Sequence, residues 1–260
     1  FGDPRTGESP YAHWPSLDAA AQSFGGLVHA NDGLVTPAIA DIFPGTLMAL
    51  GVVSAIHSAQ RSGKGQFLDV GMYDAMMAFQ KSAVAQYGFT GKPNPAGLQR
   101  AMTLYPFDLF PTQDGRIAIA VGQPRHWDLL CAAMERADLM DDERSFSNEA
   151  RLANVDWVEE QICAWTQTQT RAEIMAKLDG AIPIGPVQTM ADIFADPHVS
   201  ARDMLETCSP AGDNPDIALA ASPIKFSQTP TTLYQRPPNL GEHNAEVLAE
   251  FGIEPSKRKD

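Results

Sequence analysis

The sequence predicts an α/β protein, on three observations. Both ends of the chain carry helical spacing with recognisable helix boundaries. The middle, from about 100 to 200, opens with two β-like runs around Gln113-Asp114-Gly115 and continues in helices. Between the first helices and this module, Gly88, Gly91, Pro93 and Pro95 fall close together, the composition of a linker. With 260 residues and 44% hydrophobic content, the chain can bury a sizeable core as one large domain or two smaller ones.

In order along the chain, Ser16 to Phe24 reads as a short helix stopped by Gly25-Gly26. Asp41 to Arg61 reads as a long helix with Pro44 in its first turn, where a missing N–H costs nothing. Its interior is apolar almost all round, which predicts burial on most sides. Ser62 to Gly65 forms the stop, Gln66 to Val70 a short strand, and Asp74 to Tyr87 a second helix. Next come the hairpin runs, Thr103 to Phe110 and Arg116 to Val121. Helices follow near Arg125, over Asn148 to Trp165, and after Thr170, where Glu173 three residues on completes a capping box. Ile182 to Val187 and Pro223 to Ser227 read as extended, with short helices or turns at Met190 to Phe194 and Ser200 to Leu205. Pro237-Pro238 breaks the chain before a last helix, Glu242 to Phe251. The domain plan is therefore 1–90, a linker at 91–102, a small α/β domain at 103–205 and a C-terminal segment at 206–260.

Composition narrows the function classes. The net charge of -13 repels nucleic acid and anionic membrane surfaces, and an anionic cofactor would need local cations or backbone N–H groups. No uninterrupted apolar run reaches bilayer length; the longest, Leu47 to Ile56, contains Gly51 and Ser54. Cys131, Cys163 and Cys208 show no CxxC or zinc spacing and read as buried small residues, reduced as in a cytoplasmic protein. The six His form no metal-spaced pair, so no metal is expected. Gly63-Lys64-Gly65 follows a helix rather than a strand and fits a turn better than a phosphate loop. The start at Phe1, on a loop-like Gly2-Asp3-Pro4-Arg5, reads as the middle of a longer protein.

Asp41 is the candidate for chemistry. It stands at the first turn of a strongly apolar helix, where unpaired N–H groups and the helix dipole favour an anion. Ile39, Ala40, Ile42 and Phe43 around it predict an apolar wall that excludes water. Two readings stay open on these grounds: a nucleophilic carboxylate, or an ordinary N-cap.

The ordered set of motifs resembles the class III CoA-transferases. It comprises Pro37-Ala38-Ile39-Ala40-Asp41 with Gly45, Ala49, Gly51 and Ile56, then Gly63 to Val70. Phe1-Gly2 with Ser9-Pro10-Tyr11, Pro106-Phe107 with Thr112 to Gly115, and Ile184-Gly185-Pro186-Val187 also match. So do Asp196-Pro197-His198 with Arg202, Pro223 to Ser227, and Leu240-Gly241-Glu242-His243. The resemblance implies a large Rossmann-like domain, partial here, with a small α/β domain and an interlocked homodimer. It places the nucleophile at Asp41, passing CoA from an acyl-CoA thioester to a carboxylic acid through an aspartyl anhydride and an aspartyl-CoA thioester. It places Phe1, Gly2 and Asp3 near coenzyme A. The N-terminal half of such proteins is not represented: the sequence is either an incomplete part of a whole enzyme's or a true fragment, and a true fragment is expected to show little or no transferase activity alone. The rivals are an α-methylacyl-CoA racemase, intramolecular CoA transfer within one dicarboxylate, and an inactive structural relative. Ile42-Phe43-Pro44-Gly45 after Asp41, and Gln123 where a racemase carries Glu, favour transfer.

Overall fold

The computed structural model describes residues 1–97, 103–178, 180–210, 215–231 and 236–253. Part of the expected linker, 98–102, lies outside the described residues. The chain divides into two compact units, Phe1–Pro186 and Val187–Asp260. A mixed α/β architecture is observed, as the sequence predicts.

The first unit begins with helices α1 (Asp18–Phe24), α2 (Leu27–Asn31), α3 (Ile39–Ser62), α4 (Met72–Phe79) and α5 (Lys81–Thr90). Gly26, in the left-handed region at φ 78°, turns α1 into α2. The expected 74–87 helix is two helices, broken at Gln80 (φ -90°, ψ 27°), whose side chain reaches back to donate to the Gly25 carbonyl. The expected strand at 66–70 joins no sheet among the described residues. Ala21, Leu27, Ala40 and Met76 form the apolar cluster of these helices, with Phe1, Ile39, Phe43 and Met72 packed around it.

The second part of this unit holds β1 (Phe107–Thr112), β2 (Gly115–Ala120), α6 (Pro124–Ala133), α7 (Asp138–Asp141), α8 (Asn148–Ala153), α9 (Val155–Thr166), α10 (Arg171–Leu178) and β3 (Ile184–Pro186). β1 and β2 form the expected hairpin, with Thr112 opposite Gly115 across Gln113-Asp114. β3 adds antiparallel to β2, giving the order β1-β2-β3. Ile117 and Ile119 alternate inward along β2 and meet Trp127, Leu130, Val158, Ile162 and Ile174 in the larger core. The helix expected over 148–165 is broken at Asn154. The capping box at α10 forms as predicted: Thr170 N–H donates to Glu173 (2.7 Å), and Glu173 N–H to the Thr170 hydroxyl (3.3 Å). Arg151, 3% exposed, donates to the carbonyls of Tyr105 (2.7 Å) and Ser145 (2.8 Å), tying α8 to the segment before β1.

The other unit contains α11 (Met190–Ala195), α12 (Pro197–Ala201), the antiparallel pair β4 (Leu205–Cys208) and β5 (Ile217–Ala220), and α13 (Asn244–Glu250). Thr189 and Asp192 make a second capping box, at α11. The stretch Pro223 to Ser227, expected as extended, joins no sheet among the described residues.

Two expectations for α3 are corrected. It begins at Ile39, two residues before the expected start, so Pro44 sits in the second turn and offers no N–H to the Ala40 carbonyl. It is also exposed rather than buried: Leu50 is 65% accessible, Val53 66% and Ile56 53%. The small residues Gly51 and Ala55 face the chain, with the Leu68 side chain filling the space where a Gly51 side chain would stand. By length and composition α3 is apolar enough to cross a membrane, although no single uninterrupted run within it is.

Candidate active site

The site is built where α1 meets the start of α3. The residue before α3, Ala38, has no side-chain oxygen with which to cap the helix. The cap comes instead from α1. Asp18 Oδ1 accepts the Ala40 N–H at 2.9 Å, and Asp18 Oδ2 accepts Gln22 Nε2 at 2.8 Å. Gln22, fully buried, also pairs with Val35 in both directions, donating to its carbonyl and accepting from its N–H, each at 2.9 Å. The backbone from Val35 to Ala40 is thus held at both ends.

Asp41 follows, as the third residue of α3. Its N–H donates to the Ala38 carbonyl at 3.1 Å. Its carboxylate is solvent-exposed and has no hydrogen bond or ion pair among the described residues. The expected dry apolar wall is therefore only half present in this chain. Ala40 is buried and Phe43 packs on Phe79 with centroids 5.1 Å apart, but Ile42 is exposed. The N-cap reading fails on geometry, since Asp41 lies inside the helix and Asp18 does the capping.

The loop with Phe1, Gly2 and Asp3 is brought onto the same cluster only through Phe1. The Phe1 ring lies 4.9 Å from Phe24 and 6.2 Å from Tyr73, and packs on the group containing Ala40 and Phe43. Gly2, at φ 87°, makes the turn beside Asp69 and Asp74. Asp3 is otherwise committed. Its N–H donates to Asp69 (3.0 Å) and its carboxylate takes a bidentate pair of bonds from Arg5, whose guanidinium holds the Asp3 pKa down at about 2. Arg5 also stacks on Phe67 at 3.7 Å. The cleft beside this loop has a volume of about 360 Å³, and its charged lining is acidic throughout: Glu8, Asp69 and Asp74. Phosphate groups are repelled from such a lining.

Asp18 and Gln22 are the site residues that sequence reading passed over. A signal was available: Gln22 ends the run Ala19-Ala20-Ala21-Gln22 on an otherwise apolar face, four residues after Asp18. Cys131 is buried, its thiol pushed up to about 12 by desolvation, and Cys163 is shifted in the same direction. Neither is a nucleophile at neutral pH.

Comparison with known proteins decides the family. The model of CoA-transferase family III matches residues 1–244.

The chain belongs to CoA-transferase family III.

Among curated members, it is 39% identical over 259 residues to a succinyl-CoA:mesaconate CoA-transferase of Haloarcula hispanica, a match covering 97% of this chain and 65% of that protein. It is 34% identical to a succinate–glutarate CoA-transferase of Agrobacterium fabrum, covering 93% and 62%. Among solved structures, a CAIB/BAIF family protein from Brucella suis superposes with a TM-score of 0.76 at 30% identity, covering 94% of this chain and 65% of the other. Rv3272 of Mycobacterium tuberculosis, at 22% identity and a TM-score of 0.79, shares the fold. The family III chain described here thus spans a little under two thirds of the relatives it matches.

Proposed function

We propose that the full-length protein transfers coenzyme A between an acyl-CoA thioester and a carboxylic acid, with Asp41 as the acylated nucleophile. The observation that carries this reading is the state of the Asp41 carboxylate. It lies in the first turn of α3, where Asp18 and not Asp41 meets the Ala40 N–H, and it stands unpaired and open to attack a carbonyl carbon.

The steps balance without a cofactor other than the substrates. The Asp41 carboxylate attacks the thioester carbonyl and expels CoA thiolate, leaving a mixed anhydride. The thiolate attacks the aspartyl carbonyl and releases the first acid, giving an aspartyl-CoA thioester. The incoming carboxylate reverses both steps and leaves as its own CoA thioester. Water competes for the anhydride, so the exposed side of Asp41 must be covered in the working enzyme. Phe1 and Gly2 are assigned to the uncharged part of CoA, since the acidic cleft beside them disfavours its phosphates.

The names of the Haloarcula and Agrobacterium relatives support succinyl-CoA as donor and a five-carbon dicarboxylate as acceptor. Unpaired cysteines support a reducing, cytoplasmic setting, and a homodimer is the proposed assembly. The test is chemical. Full-length protein is incubated with succinyl-CoA and hydroxylamine, and the modified peptide is mapped. Hydroxamate at Asp41 is expected, together with loss of transfer in Asp41→Ala. Transfer retained by that variant refutes the reading. Exchange of an α-proton for deuterium without movement of CoA establishes a racemase instead.

A further inference from the structure

We propose that Asp18 and Gln22 are positioning residues for Asp41: they fix the backbone that presents it. The inference rests on Asp41 being the nucleophile.

A helix start has donors that the helix itself cannot satisfy. The first N–H groups of α3 have no partner within the helix, and Ala38 cannot cap them. In a capping box an acidic side chain at the third position reaches back to the N–H of the capping residue, here Ala38. Asp41 occupies that position. Were it recruited, its oxygens would be tied up in local hydrogen bonds and turned from a substrate. It makes no such bond, and the buried Ala40 N–H, the donor that an N-cap side chain would take, is met by Asp18 from α1, 22 residues earlier in the chain.

The aim of Asp18 is itself fixed. Its second oxygen is held by Gln22, and Gln22 is locked by the two-way pairing with Val35. Every hydrogen-bonding atom of the Gln22 amide group is thereby used in holding the segment that leads into Asp41, and the side chain has no access to solvent. A buried amide so fully engaged costs more to disturb than a surface one, so the entry to α3 has a single geometry. For a covalent reaction that geometry matters: displacing a reacting group by about 1 Å costs about 100-fold in rate.

The experiment uses the full-length protein with Asp18→Ala, Asp18→Asn, Gln22→Met and Asp41→Ala. Each is assayed for kcat and KM with succinyl-CoA and a dicarboxylate acceptor, for melting temperature, and for the number of hydroxylamine-trappable acyl groups per chain. Asp18→Ala is expected to lower kcat per trappable site about 10- to 100-fold with KM within about twofold. Asp18→Asn keeps an acceptor for Ala40 but sets an amide donor against Gln22 Nε2, and is expected to recover only part of that loss. Gln22→Met preserves volume, removes three hydrogen bonds, and is expected to lower kcat about tenfold; it carries the test if Asp18→Ala does not fold. The proposal is overturned if the folded variants keep kcat per site within twofold of the parent. It is equally overturned if their losses are wholly accounted for by fewer trappable sites. Transfer by Asp41→Ala defeats the nucleophile reading instead, so the two failures are told apart.

Discussion

Gly25 tests the packing that sets α1 against α4. Its backbone is ordinary (φ -76°, ψ 2°), so an alanine there suffers no conformational strain. The obstacle is space. A Cβ on Gly25 would stand 2.3 Å from the Met76 Cβ and 3.2 Å from the Ala21 carbonyl oxygen. The first clash is with an atom fixed to the α4 backbone, and Met76 is fully buried, so relief requires the two helices to part. Overpacking of this kind costs about 1–3 kcal/mol, and a contact more than 1 Å inside van der Waals distance belongs at the upper end, about 3 kcal/mol. Gly63→Ala makes the control. It has nothing within 4 Å but sits at φ 70°, so its cost is conformational, about 1 kcal/mol. Urea unfolding followed by circular dichroism measures both. Gly25→Ala is expected to lower the midpoint two to three times as far as Gly63→Ala, with a loss of about 6–12 °C in melting temperature. If Gly25→Ala unfolds alongside the parent, or Gly63→Ala is the more damaging, the close approach of α1 and α4 is wrong.

Arg151→Met removes two charged hydrogen bonds and the stacking over Trp127 at 4.8 Å. After allowance for the desolvation that a buried guanidinium suffers, it is expected to cost about 2–4 kcal/mol in the same assay. Asp3 gives a pH signature. Arg5 depresses its pKa from 3.8 to about 2, so the stabilisation is fully present above 3.8 and is lost as pH falls through 2. The melting temperatures of the parent and Asp3→Asn are therefore expected to differ by a constant amount from pH 7 to 5 and to converge toward pH 2; a gap that persists at pH 2 contradicts the ion pair.

What could be read from the sequence was local. The Gln113-Asp114-Gly115 hairpin and the Thr170–Glu173 capping box each need residues only three or four apart, and both form. The breaks at Gln80 and Asn154 went unseen because neither residue is Gly or Pro. At Gln80 a long-range bond to Gly25 accompanies the break. β5 was also missed, since Ile217 to Ala220 is short and finds its partner across the stretch from Cys208. The exposure of α3 was unreadable for a different reason. Apolar residues state that a helix needs cover, not what supplies it. Asp41 was found as a position, but the bond that holds the backbone beside it was not, because that depends on an acceptor on another helix.

One mechanical consequence follows from the placement of the Asp18 bond. At about 1.5 Å per residue, α3 is about 36 Å long, and it is pinned at its second residue. Farther along, α3 rests on α4 and on Leu68, which fills the space at Gly51, so a swing about the pinned end requires that packing to slide. A tilt of about 10° would carry the Ser62 end roughly 6 Å while Asp41 moves by a fraction of an ångström. Whatever settles against the exposed length of α3 shifts its far end only by sliding that packing, and the near end is the last part to move.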